Sequence, residues 1–151
     1  MPDTNYYVQP LTGVNLEIVT LDLNILDSHK ICTWIACGKK KCEEDDENKE
    51  PGCSHGKCYQ TLLARGQAAF RLLEARIAAA KSSVPKRQII VNTHYPTTFL
   101  KWWKHGERSI ADLLKDPDVH ILYFGGHVHA TDNKTNVDST LRRHGWNDFC
   151  V

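Results

Sequence analysis

The chain has 151 residues, 41% of them hydrophobic and 25% charged, with 19 Lys and Arg against 18 Asp and Glu for a net charge of +1. That composition fits one folded domain and excludes collagen-like, low-complexity and wholly disordered chains. The balanced charge argues against nucleic-acid binding, and no apolar run approaches the roughly 18 residues of a membrane span.

In chain order, the first residues, Met1-Pro2-Asp3-Thr4-Asn5-Tyr6-Tyr7, have no basic start and no apolar stretch, so they do not read as a signal peptide. Residues 15–23, Asn-Leu-Glu-Ile-Val-Thr-Leu-Asp-Leu, follow the turn signal Gly13 and predict a strand. The run is nearly continuous in apolar side chains, which suggests burial on both faces. Asp22 interrupts it and is expected to bond local backbone at the strand's end. Residues 32–58 contain five of the six cysteines and a Lys39-Lys40-Lys41 block followed by an acidic one. They are too poor in apolar residues to build a core and read as a Cys-rich surface insertion.

Residues 59–81 carry Leu62, Leu63, Ala69, Phe70, Leu73 and Ile77 at three- and four-residue steps, which predicts a helix stopped by Ser82-Ser83 and Pro85. Leu62, Phe70, Leu73 and Ile77 should pack on a sheet. Residues 87–93 predict a short buried strand. Ser109 with Asp112 three residues on predicts a capped helix over 109–115, broken by Asp116-Pro117-Asp118. Residues 119–124 predict a further strand, ended by Gly125-Gly126. Strands alternating with helices predict an α/β unit with parallel pairing.

Ligands of open α/β sheets bind beyond the carboxyl ends of the strands. Two predicted strands run into histidines there: Asn92-Thr93-His94-Tyr95-Pro96 and Gly125-Gly126-His127-Val128-His129. Adjacent parallel strands would bring His94 to His127 and His129, three imidazoles suited to zinc or iron. A Gly-His-x-His pattern is expected by chance only about 0.03 times in such a chain, which lifts this site above coincidence. His29, His55, His105, His120 and His144 lack that context and read as structural or surface residues. Trp102 and Trp103, following the His94 segment, read either as groove lining or, more simply, as aromatic packing under a loop.

The Asn-Thr-His-Tyr-Pro and Gly-His-Val-His segments, with the Leu-Asp-Leu-Asn that ends at Asn24, resemble the C-terminal half of the calcineurin-like metallophosphoesterases, most closely the purple-acid-phosphatase-like branch. The resemblance covers most of the chain outside 32–58. It implies a partial four-layer α/β/β/α sandwich over 1–151 with no second domain. It also implies a metal-dependent phosphoester hydrolase with two ions (Zn, Fe or Mn) about 3.5 Å apart that hold phosphate oxygens and activate the attacking water. By motif, His94 and His127 would ligate one metal and His129 the other. The family's upstream Asp-x-His, Gly-Asp-x-x-Asp and Gly-Asn-His-Asp/Glu motifs have no counterpart. The chain contains no Gly-Asp or Asn-His dipeptide, and Asp27-Ser28-His29 follows the wrong strand. Three neutral imidazoles compensate two divalent ions poorly, so the chain alone is expected to be a weak or inactive catalyst. Residues 146–151 read as a strand entering a further part of the fold, implying truncation at both ends. One sheet face would then lie exposed and favour self-association.

Two further readings stay open. One is a non-enzymatic metal-binding or interaction protein that keeps His94, His127 and His129 as a single three-His site. The other is a mononuclear zinc hydrolase with Asp132 or Asp138 in support. For Cys32, Cys37, Cys42, Cys53, Cys58 and Cys150, disulfides suit a core-poor insertion better than a zinc site or reduced thiols. Disulfides place the parent protein outside the cytoplasm, secreted or extracytoplasmic. The Asn133-Lys134-Thr135 glycosylation sequon agrees with that.

Overall fold

A computed structural model describes residues 7–11, 13–28, 30–31 and 55–126. It is a mixed α/β structure. A four-stranded sheet is ordered β1-β2-β3-β6, with β1 Tyr7–Leu11, β2 Leu16–Thr20, β3 Gln88–Asn92 and β6 Ile121–Phe124. β1 pairs antiparallel with β2, while β2–β3 and β3–β6 are parallel. The first helix, α1, spans His55–Ser82. The small ladder of β4 (Lys104–His105) and β5 (Arg108–Ser109) leads into α2, Ile110–Leu114.

The register aligns side chains in rows. Glu17, Ile89 and Ile121 form one row and Val19, Val91 and Tyr123 the next, all of them buried. The opposite face carries Ile18, Ile90 and Leu122, then Thr20, Asn92 and Phe124. Its outer members Leu122 and Phe124 are exposed. The expectation that the first predicted strand is buried on both faces is therefore corrected: burial alternates along β2. That strand is also shorter than 15–23, because Leu21 and Leu23 bury their side chains from a loop rather than from the ladder.

Helix α1 buries Leu62, Phe70, Leu73 and Ile77, the stripe predicted to face the sheet. It begins at His55, four residues before the predicted start, and takes in the end of the 32–58 segment. Cys58, half-buried on this helix, is disulfide-bonded. The rest of that segment, with Cys32, Cys37, Cys42 and Cys53, lies outside the described residues, as does Cys150. Gly66 lets α1 approach the 3₁₀ turn Asn24–Asp27, since a Cβ there would fall 2.6 Å from Ile25 Cγ2. The helix ends as its serines dictate. Ser82 Oγ donates to Ala79 O at 3.1 Å, and Ser83 Oγ donates to Ala80 O at 2.8 Å while accepting the Arg87 N–H at 2.7 Å.

Glu17 is fully buried between α1 and the sheet and is held by two arginines. Arg76 donates through Nε at 2.8 Å and Nη2 at 2.5 Å, and Arg87 through Nη1 at 3.0 Å. Removing either charge would leave the other buried without its partner, so this ion cluster locks α1 to the start of β2. Among the described residues no helix is long and apolar enough to cross a membrane.

Candidate functional site

The parallel pairing of β3 and β6 puts their carboxyl ends side by side, and hydrogen bonds continue past both strands. Leu21 N–H donates to Asn92 O and Thr93 N–H to Phe124 O, each at 3.0 Å, and Gly126 N–H donates to His94 O at 3.1 Å. The segment after β3 keeps an alternating disposition, with Thr93 buried, His94 exposed and Tyr95 buried. His94 therefore stands at the ligand end of the sheet, on the rim where the sequence places it. His127 and His129 lie outside the described residues. Among the described residues, no group of three His, Cys, Asp or Glu side chains could hold a metal ion.

Beneath His94 is a buried polar network that no sequence motif announces. Thr93 Oγ1 accepts the Tyr95 N–H at 3.1 Å and lies 2.6 Å from the Tyr123 hydroxyl, which donates to Tyr95 O at 2.5 Å. The Tyr95 hydroxyl donates to Asn24 Oδ1 at 3.1 Å. Asn24 in turn donates its N–H to Asp22 Oδ1 at 3.0 Å, the local backbone bond expected of Asp22. The loops after β2, β3 and β6 are thus tied together through side chains. Gly125 completes the contact, because a Cβ there would sit 2.3 Å from Tyr95 O and 3.0 Å from Tyr123 Cε1. Only a residue without a side chain lets these loops close.

Burial, followed by the charges of Asp27 and Asp22, pushes the Tyr95 phenol up to about 12, so it stays a hydrogen-bond donor across the physiological range. Asp22 Oδ2 lies 3.5 Å from Arg65 Nη1, an ion pair in which neither group is aligned for a hydrogen bond. Thr20 Oγ1 likewise has no hydrogen-bond partner. Two buried oxygens left over at one end of a strand are uncommon in a packed fold and mark this end of the sheet as the one with polar capacity to spare.

Rings extend away from His94. Its centroid lies 5.1 Å from that of Tyr95, Tyr95 lies 5.6 Å from Phe99, and Phe99 lies 3.9 Å from Trp102. The two tryptophans part company. Trp103 packs edge-on to the buried Phe70 at 6.4 Å, whereas Trp102 remains 59% exposed. His105 also packs against Phe70, and His120 is exposed with Nδ1 3.3 Å from Gln88 Oε1, the structural and surface roles expected of them. A cleft of about 460 Å³ opens between Lys86–Gln88 and Asp116–Ile121, at the amino ends of β3 and β6 and thus at the opposite end of the sheet from His94. Its charged residues are already engaged with one another: Lys81 pairs with Asp116 at 2.6 Å and Asp118 at 3.5 Å across its rim.

Comparison with protein-family models, with curated proteins and with solved structures finds no match for this chain.

Proposed function

We propose that this protein binds metal at the carboxyl ends of β3 and β6 and hydrolyses phosphoesters there, with His94, His127 and His129 as the metal ligands. The observation that carries the proposal is the backbone bond from Gly126 N–H to His94 O at 3.1 Å. Consecutive Cα atoms are about 3.8 Å apart, so covalent connectivity puts the residue after Gly126, which is His127, beside the His94 backbone. An exposed imidazole at a strand end, on a loop braced from beneath, suits a ligand whose other ring nitrogen is free to find an orienting partner. A divalent or trivalent ion such as Zn, Fe or Mn would supply charge stabilisation to a phosphoryl group and a nucleophilic water.

The chain's own contribution is positional. The Thr93–Tyr95–Tyr123 network fixes the His94 loop, and Gly125 lets the β6 loop close onto it. The mixed sheet fits one of the two sheets of an α/β/β/α sandwich, and the apolar face bearing Ile18, Ile90, Leu122 and Phe124 supports that placement. The Cys58 disulfide is in keeping with an extracytoplasmic setting.

The test is hydrolysis of p-nitrophenyl phosphate by the full chain with added Zn, Mn or Fe, with and without chelator. Metal-dependent turnover that falls at least 100-fold in both His94→Ala and His127→Ala is expected. Turnover insensitive to both substitutions would contradict the proposal.

A further inference from the structure

We infer that Trp102 is the specificity platform of this site and that the phosphoester it favours carries a flat aromatic ring in its leaving group. The inference rests on the function proposed above and adds a substrate class to it.

Three observations converge. First, Trp102 is 59% exposed although it is the largest kind of apolar side chain, while its neighbours Leu100 and Thr97 are 0% and 1% exposed. Second, the indole is held in place rather than trailing from a loose loop. The turn that carries it is closed by Phe99 N–H to Pro96 O at 3.0 Å, Leu100 N–H to Thr97 O at 3.2 Å and Trp102 N–H to Phe99 O at 2.9 Å. One side of the indole rests on Phe99, centroid to centroid 3.9 Å with the planes tilted by 34°. Third, the platform is coupled to the candidate ligand by direct ring contact. His94, Tyr95, Phe99 and Trp102 form an unbroken series whose steps are between 3.9 and 5.6 Å.

The other strongly exposed apolar residues, Val14 and Val84, lie in the turns before β2 and β3, at the far end of the sheet. Trp102 is therefore the large exposed apolar residue on the segment that carries His94. A fixed indole with more than half its surface in water offers a π-face that an aryl group or nucleobase can cover. Neither inorganic phosphate nor a short alkyl phosphate has a ring to place there. Stacking on such a face is worth about tenfold in affinity when the aromatic side chain is cut back to alanine.

The experiment compares p-nitrophenyl phosphate with ethyl phosphate in the wild-type chain, Trp102→Ala and Trp102→Phe. Trp102→Ala is expected to raise KM for the aryl ester about tenfold, with kcat within twofold and ethyl phosphate unaffected, and Trp102→Phe to restore most of the loss. An unchanged preference for aryl over alkyl ester in Trp102→Ala would overturn the inference. A binding arm decides the question separately from turnover. The Trp102 indole N–H resonance, assigned by its loss in Trp102→Phe, is followed while phenylphosphonate or methylphosphonate is added. A shift with the phenyl compound alone supports the platform, and no shift, or equal shifts with both, refutes it. If the chain hydrolyses neither ester, the proposed hydrolysis fails while this second arm still decides whether Trp102 binds an aromatic ring.

Discussion

Gly125→Ala probes the junction on which the site depends. The added Cβ would lie 2.3 Å from the Tyr95 carbonyl oxygen, where ordinary contact begins near 3.4 Å. The obstacle is backbone, so rotating a side chain cannot relieve it. The loops after β3 and β6 must part by about 1 Å, and overpacking of that kind typically costs roughly 1–3 kcal/mol. The same movement stretches Tyr123 Oη–H to Tyr95 O and Gly126 N–H to His94 O, now 2.5 and 3.1 Å, two bonds each worth about 1 kcal/mol. The smaller entropy of the unfolded alanine chain offsets about 0.5 kcal/mol. The net loss is about 3 kcal/mol, which at an m-value of about 2 kcal/mol/M lowers the urea midpoint by about 1.5 M. Gly13→Ala is the control. Its φ of +83° strains an L-residue, but nothing lies within 4 Å, so it should cost only about 1 kcal/mol. A urea midpoint for Gly125→Ala no lower than that of Gly13→Ala would refute the reasoning.

Three further outcomes follow from the packing. Burial pushes the Glu17 carboxyl up, but the hydrogen bonds and charges of Arg76 and Arg87 outweigh it and hold Glu17 below its ordinary 4.5. Its contribution is therefore complete above pH 4.5 and lost as pH falls through the lower folded value. Glu17→Gln should destabilise by about 3 kcal/mol at neutral pH and flatten the acid limb of a stability–pH profile, whereas an acid limb identical to wild type would argue against the cluster. Tyr95→Phe removes the bond to Asn24 at a cost of about 1 kcal/mol. Ultraviolet titration should also lose one of the five tyrosines, the one ionising at about 12. Ser109→Ala breaks a capping box in which Ser109 Oγ accepts the Asp112 N–H at 3.3 Å and Asp112 Oδ2 accepts the Ser109 N–H at 2.8 Å. About 1 kcal/mol should be lost, with faster amide exchange confined to α2.

The elements legible in the sequence are those whose signals are local. Helix α1 follows from its three- and four-residue apolar steps, α2 from Ser109 and Asp112, and β3 from an uninterrupted apolar run between Arg87 and Thr93. Strand β1 carries no such signal. It is short and contains Pro10, which a central strand would not tolerate but which fits a strand at the sheet's edge. At the site, the position of His94 is legible because strand ends can be located from composition. The tyrosine–threonine network is not, because it depends on the register that sets Val91 opposite Tyr123, and hence Thr93 near the Tyr123 hydroxyl. Long-range register is fixed by packing, and one sequence does not report it. Asp22 falls between the two cases. Its bond to the Asn24 N–H is local and expected, while its ion pair with Arg65 requires knowing where α1 lies.

Metal stoichiometry tests the central claim most directly. The full chain would be equilibrated with Zn, Mn or Fe, freed of excess ion, and assayed for metal per chain alongside His94→Ala and His127→Ala. At least one ion per wild-type chain is expected, with both substitutions reducing it in parallel. No retained metal, or the same retention in wild type and both variants, would contradict a site shared between the ends of β3 and β6.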